Sequence, residues 1–276
     1  MALSHCWGKT ELPGLPTENL EKRKRGIAIV SLPKSFQDAV TVTRSIGARY
    51  LWIDSLCIIQ DNATDQETES SNMADIYNNA YLVIAASQAA DSSFGFIDRR
   101  DEGTDERAED EIGPPIPTRN WTRSTLAASN LTKIGRIMSL ADSTISEVFA
   151  KLLPGAGFQD DTARHDDPIA YSPLNRRAWA LQENLLARRI VHFTKYEMMW
   201  ECLECLKCEC MEMDSTPTAS SVRTGIMRRA QYATGLRYGD KGDRYLMWRN
   251  LLLHYGGLEL SKQSDRLPAL SGLAKF

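Results

Sequence analysis

The stretch from Tyr50 to Ser87 constrains what this chain can fold into more than any other. It opens with Tyr50-Leu-Trp-Ile-Asp-Ser-Leu-Cys-Ile-Ile-Gln-Asp61, whose first part is a short apolar run with the length and composition of a buried strand, ending in Asp54. A polar run over 61–72 follows. From Glu69 onward, Met73, Ile76, Tyr77 and Ala80 are spaced i, i+3, i+4, i+7 and mark one face of a helix. Tyr81-Leu-Val-Ile-Ala-Ala86 then reads as a second buried strand. Strand, helix, strand with unbroken apolar strands is a βαβ unit of a parallel sheet. Open α/β sheets bind ligands at the carboxyl ends of their strands, which is where Asp54 falls.

The flanking sequence extends this unit. Leu3-Ser-His-Cys-Trp-Gly8 reads as the end of a first strand, with Ser4, His5 and Trp7 near its carboxyl end. Residues 9–33 carry Pro13, Gly14, Pro16 and Pro33 and predict a loop. The basic run Lys22-Arg-Lys-Arg25 within it reads as solvated surface, with a targeting or anionic-surface patch as the alternative. Ser35 and Asp38 approximate a capping box at the start of a helix. Phe36, Ala39, Val40 and Ile46 lie along one face of that helix, and Gly47 is placed to end it. The order is therefore β-α-β-α-β.

The pattern stops after Ser87. Residues 98–111 are strongly charged and predict a surface insert, and Ile137, Leu140, Ile145, Val148 and Phe149 suggest a helix within 134–153. Order resumes at Pro173, suited to a first helical turn, and Leu174, Ala178, Leu181 and Leu185 share a helix face. Trp179 and Glu183, four apart, are neighbours on that helix. Arg189–Phe193 reads as a strand, residues 222–233 and 243–255 as helices, and 264–274 as a turn entering another helix. The expected fold is α/β: a flavodoxin-like parallel sheet flanked by helices, with an insert at about 88–172 and a helical extension over 203–276.

Composition narrows the function classes. The 276 residues carry a net charge of −3, which argues against general nucleic-acid binding. No apolar run approaches the ~20 residues that span a bilayer. The amino terminus has no signal-peptide pattern. Six cysteines, four of them at Cys202, Cys205, Cys208 and Cys210, do not resemble a secreted disulfide framework, and a reducing cytoplasmic setting follows. Thiolates this dense can bind zinc, but four within nine residues can hardly all close one tetrahedral site. No metal centre is expected, and the cysteines read as reduced, partly buried thiols. The chain has no Gly-x-Gly-x-x-Gly after a strand, no P-loop and no Gly-x-Ser-x-Gly elbow, which disfavours dinucleotide oxidoreductases, P-loop ATPases and α/β-hydrolases.

Four blocks in order resemble the fungal heterokaryon-incompatibility (HET) domain: Leu3-Ser-His-Cys-Trp-Gly8; Tyr50-Leu-Trp-Ile-Asp-Ser-Leu-Cys-Ile58; Met73-x-x-Ile-Tyr-x-x-Ala80; and Arg177-Ala-Trp-x-Leu-Gln-Glu183, continuing to Arg189-x-x-x-Phe193. Together they span residues 3 to about 202. Asp265-Arg-Leu-Pro-Ala-Leu-Ser-Gly272 resembles a block common downstream in the same proteins. The fourth block more usually reads Arg-Gly-Trp-Thr, so Ala178 departs from it. Family members usually carry several residues before the first block, so the chain reads as truncated or as a divergent short member.

The resemblance implies a fungal cytoplasmic protein of non-self recognition that triggers programmed cell death. It implies an incompatibility partner protein and self-association. The HET domain is also similar to the TIR domain, itself flavodoxin-like. TIR domains that cleave NAD carry a Trp-x-x-x-Glu on the helix after the third strand, the spacing of Trp179 and Glu183 here. On that likeness no cofactor is required, and NAD is a substrate. Glu183 stabilises the oxocarbenium-like transition state as nicotinamide leaves, or is a surface glutamate paired with Arg177, Arg188 or Arg189. Asp54 meets a ribose hydroxyl or an active-site proton, or caps a turn. Trp7, Trp52 and Trp179 offer stacking surfaces for a base or nicotinamide, with core packing as the competing role for Trp7 and Trp52. Ser4 and His5 line the same pocket, and Tyr77 is core. An enzyme needs these groups in one pocket. An assembly module needs only exposed helix surfaces. A divergent member in a biosynthetic pathway is the third reading.

Overall fold

Ala2, Leu3 and Ser4 are fully buried and form β1 (Ala2–Ser4), as the opening apolar run requires. A computed structural model of the chain describes residues 1–8, 14–97, 131–138, 145–151, 169, 172–194, 198–208, 214–215 and 229–275. The chain divides into two compact units, Met1–Phe96 with Asp166–Phe276, and Ile97–His165.

In the larger unit the basic run sits on a short exposed helix, α1 (Leu20–Arg25), where the prolines predict a loop. Helix α2 (Lys34–Ser45) buries Phe36 and Ala39, whereas Ile46 is 45% exposed. The expected capping box does not form, and α2 follows Pro33 without a side-chain cap. Ser35 Oγ instead donates to the Phe94 carbonyl at 2.6 Å, and Asp38 accepts from the Phe96 N–H at 2.9 Å. These bonds fasten the loop around residue 94 to the helix. Gly47 ends the helix as expected, at φ 78°, with its N–H on the Arg44 carbonyl.

The strand expected at Tyr50–Asp54 shrinks to one parallel bridge between Trp52 and Ala2. The Ile53 and Asp54 carbonyls already accept helical hydrogen bonds from Cys57 and Ile58, so the chain turns into α3 (Asp54–Cys57). Helix α4 (Ala63–Asn79) begins earlier than its apolar face suggests, because Asn62 caps it by accepting from the Asp65 N–H at 3.1 Å. Met73 and Tyr77 are buried. Strand β2 (Val83–Ala85) follows and pairs in parallel with β1.

The smaller unit corrects the expectation of a helix within 134–153. It contains β3 (Leu131–Met138) and β4 (Ile145–Lys151), an antiparallel pair with a register shift between Lys133 and Gly135. The charged run 98–111 lies outside the described residues.

Back in the larger unit, Pro173 opens a 3-10 turn, Pro173–Arg176, that leads into α5 (Ala178–Leu186). Strand β5 (Arg189–Phe193) joins β2 in parallel. A short connection then forces the chain back antiparallel as β6 (Met198–Cys202), β7 (Leu206–Cys208) and β8 (Asp214–Ser215). Among the described residues the sheet runs β1-β2-β5-β6-β7-β8, so it is an α/β sheet that is parallel only in its first half. With Trp52 beside β1, the parallel half follows the order second, first, third, fourth along the chain. That doubly wound order has its switch point between β1 and β2, where the carboxyl ends of the strands open a crevice.

Helices α6 (Arg229–Tyr238), α7 (Lys241–Gly256) and α8 (Pro268–Ala274) complete the larger unit. Leu181 and Leu185 of α5 share an apolar cluster with Tyr232, Leu251, Tyr255, Leu270 and Leu273. A Cβ on Gly272 would stand 2.6 Å from Ala74 Cβ and 2.5 Å from Gln182 Oε1. Gly272→Ala therefore pushes α8 off α4 and α5, and denaturant unfolding should show a loss of about 1–3 kcal/mol. No helix among the described residues is long and apolar enough to cross a membrane.

Candidate functional site

The carboxyl end of β1 brings Ser4, His5 and Trp7 to the switch point, α3 brings Asp54, and α5 brings Trp179 and Glu183. Glu183 is only 2% exposed, which overturns the reading of a surface glutamate. Ser4 Oγ donates to Glu183 Oε2 at 2.5 Å, joining residues 179 positions apart. Burial pushes the Glu183 carboxyl up to about 7; Arg177 and the hydrogen bond from Ser4 pull it back, and Asp54 adds to the rise. The group thus changes charge near neutral pH.

Asp54 is the second carboxylate. Trp7 Nε1 donates to its Oδ2 at 2.7 Å, and the Ser55 N–H donates to Oδ1 at 2.7 Å. His5 Nε2 is 3.8 Å from Oδ1 and has no hydrogen-bond partner. Burial lowers the His5 pKa to about 4, against the upward pull of Asp54 and with help from Arg177. His5 is therefore neutral at pH 7, and its ring packs edge-on against Phe36 at 5.0 Å.

Two further residues belong to the site. Tyr77 is 1% exposed and donates to the Leu3 carbonyl at 3.0 Å, and the negative charge of Glu183 adds to the burial that raises its pKa. Its place in the apolar set of α4 predicts only a core role. Arg177 Nη1 donates to the His5 carbonyl. The backbone around Arg177 pairs with Glu259, with the Ala178 N–H on the Glu259 carbonyl at 2.9 Å. This pairing lays the segment before α8 alongside the site.

A cleft of about 1130 Å³ opens over these groups, with Trp7, Asp54, Arg177, Trp179, Glu183 and Asp265 in its lining. Trp179 Nε1 donates to Asp265 Oδ2 at 3.2 Å, fixing the indole on the wall. Ser4 and His5 stand behind Glu183 and Asp54 rather than in the lining. Trp52 is set apart: its ring packs edge-on against Tyr77 at 5.6 Å in the core around β1 and β2. Of the cysteine cluster, Cys202 and Cys205 lie at a hairpin tip, Cys208 is in register with Met199, and Cys210 lies outside the described residues. Among the described residues no group of three or more His, Cys, Asp or Glu is arranged to hold a metal ion.

A buried carboxyl that titrates near neutrality, facing a large cleft with aromatic walls and a second carboxylate, suits proton transfer or stabilisation of a developing cation. No curated protein and no solved structure matches the chain. The family model described as heterokaryon incompatibility protein (HET) matches residues 1–183, well over half of the 276 and ending on the buried glutamate. The chain belongs to the heterokaryon incompatibility family.

Proposed function

We propose that this protein acts in heterokaryon incompatibility as a cell-killing enzyme that hydrolyses the N-glycosidic bond of NAD in the cleft. The observation that carries this reading is the buried Glu183, bound to Ser4 and facing a cleft walled by Trp7 and Trp179. The bond between ribose C1′ and the pyridinium nitrogen breaks with its electron pair going to nitrogen, so nicotinamide leaves neutral and needs no acid. The ribose is left with oxocarbenium character, and ionised Glu183 stabilises that charge. Water adds to C1′, giving ADP-ribose, nicotinamide and one proton. Asp54, held by Trp7, takes that proton or fixes a ribose hydroxyl. Arg176 and Lys262, both in the cleft lining, face the diphosphate. The volume of about 1130 Å³ suits a dinucleotide.

Binding is testable apart from turnover. Titration with ADP-ribose should quench tryptophan fluorescence saturably, and Trp7→Phe should weaken binding about 5- to 10-fold by freeing Asp54 and shrinking the stacking face. An unchanged spectrum at millimolar ADP-ribose would contradict the reading.

A second reading is signalling by self-association. One observation favours it: Tyr245, Leu246, Leu252 and Leu253 on α7 are 72%, 46%, 40% and 72% exposed. Sedimentation of the wild type beside Leu253→Asp separates the readings, because an assembly module loses both its oligomer and its killing activity in the variant.

A further inference from the structure

Among the described residues the lining of the cleft includes neither Cys202 nor Cys205, yet these two are arranged for chemistry of their own. Cys202 ends β6, Cys205 precedes β7, and Leu203 and Glu204 form a two-residue turn between them. The Cys202 N–H donates to the Cys205 carbonyl at 3.0 Å, pairing the two residues directly across the hairpin. Strand residues paired in this way hold their Cα atoms about 5.5 Å apart, within the span of a disulfide. The two Sγ atoms lie 3.6 Å apart, and both residues are half-buried, so a small reagent reaches them from solvent. Forming a bond of about 2.0 Å would bring together two sulfurs that already stand 3.6 Å apart.

We infer that Cys202 and Cys205 form a reversible dithiol–disulfide pair that exchanges with low-molecular-weight disulfides such as oxidised glutathione. Cys202 is the attacking sulfur. Burial raises its pKa, but hydrogen bonds from the Glu204 and Cys205 backbone N–H groups and from the Cys205 thiol more than offset this and hold it below the ordinary thiol value. The Cys202 thiolate attacks one sulfur of the glutathione disulfide, and one glutathione thiolate leaves. Cys205 gives its proton to solvent and attacks Cys202 Sγ, and the second glutathione leaves. The two cysteines lose two electrons in total and the glutathione disulfide gains them. The loop closed is very short, so oxidation adds little to global stability. It sets the hairpin tip next to Glu201, whose carbonyl accepts from buried Arg229 at the start of α6 at 3.0 Å.

The test is equilibration of the folded full chain in glutathione buffers of graded potential, followed by alkylation and peptide mapping. The expected result is joint loss of alkylation at Cys202 and Cys205 with a single midpoint, two hydrogen masses lost, and full recovery on reduction. Cys205→Ser should trap glutathione on Cys202, because the resolving thiol is gone. Three results would overturn the inference. One is complete alkylation of both cysteines after oxidation. Another is a bond from Cys202 to Cys208 or Cys210. The third is stoichiometric zinc in the purified protein that is lost in Cys202→Ser, which would make the thiols metal ligands.

Discussion

Glu183→Ala and Glu183→Gln should each abolish NAD hydrolysis, lowering kcat at least about 10²–10³-fold, the usual cost of removing a preorganised charge from a transition state. The glutamine variant is the more informative. It keeps the shape of the side chain and an acceptor for Ser4, so only the charge is lost. In the wild type the same charge should govern the pH profile. Burial raises the carboxyl to about 7, and the proposed mechanism uses its ionised form, so turnover should climb through pH 7 and level off above it. A rate that falls over this range would give Glu183 the role of an acid instead.

The second large effect is on stability, and it runs the other way. The folded protein holds the Glu183 proton up to about 7, whereas the ordinary value is 4.5. Between these values the folded state binds more protons than the unfolded one, so stability falls as pH rises from about 4.5 to about 7 and is level beyond. The full drop is about 3 kcal/mol for a shift of this size. Glu183→Gln carries no ionisable group there. It should match the wild type near pH 4.5 and exceed it by about 3 kcal/mol at pH 8, measured by denaturant midpoint. Equal stability at pH 8 would mean that the carboxylate is better solvated than its burial indicates. An inactive variant that is more stable than its parent is the expected signature of a destabilising group retained for chemistry.

How much of this was legible in the sequence depends on the range of the interactions. Strands β1, β2 and β5 and helix α5 follow from short apolar runs and from the spacing of Leu174, Ala178, Leu181 and Leu185, all of which are buried. Trp179 and Glu183 were identifiable from one helical turn. The burial of Glu183 was not, because Ser4 and Tyr77 reach it from distant parts of the chain. The cap expected from Ser35 and Asp38 failed for the same reason: both side chains serve the loop around residue 94 rather than their own helix. The Tyr50–Asp54 run has the composition of a full strand, but Asp54 starts a helical turn and only Trp52 pairs. The residues of β3 and β4 mimic a helix in sequence because Ile137, Ile145, Val148 and Phe149 tolerate a helical spacing. Gly135 and the register shift at Lys133 break the alternation that marks a strand. The antiparallel half of the sheet leaves little signal in the sequence, because β6, β7 and β8 are only 5, 3 and 2 residues long.

The most direct measurement is product formation from NAD by concentrated wild-type protein beside Glu183→Gln, followed by chromatography from pH 5 to pH 9. Hydrolysis by the enzyme in the cleft predicts ADP-ribose and nicotinamide in equal amounts from the wild type, rising to half-maximum near pH 7, with none from the variant. No turnover at any pH from protein that still kills cells on expression would contradict it, and would leave self-association through α7 as the activity.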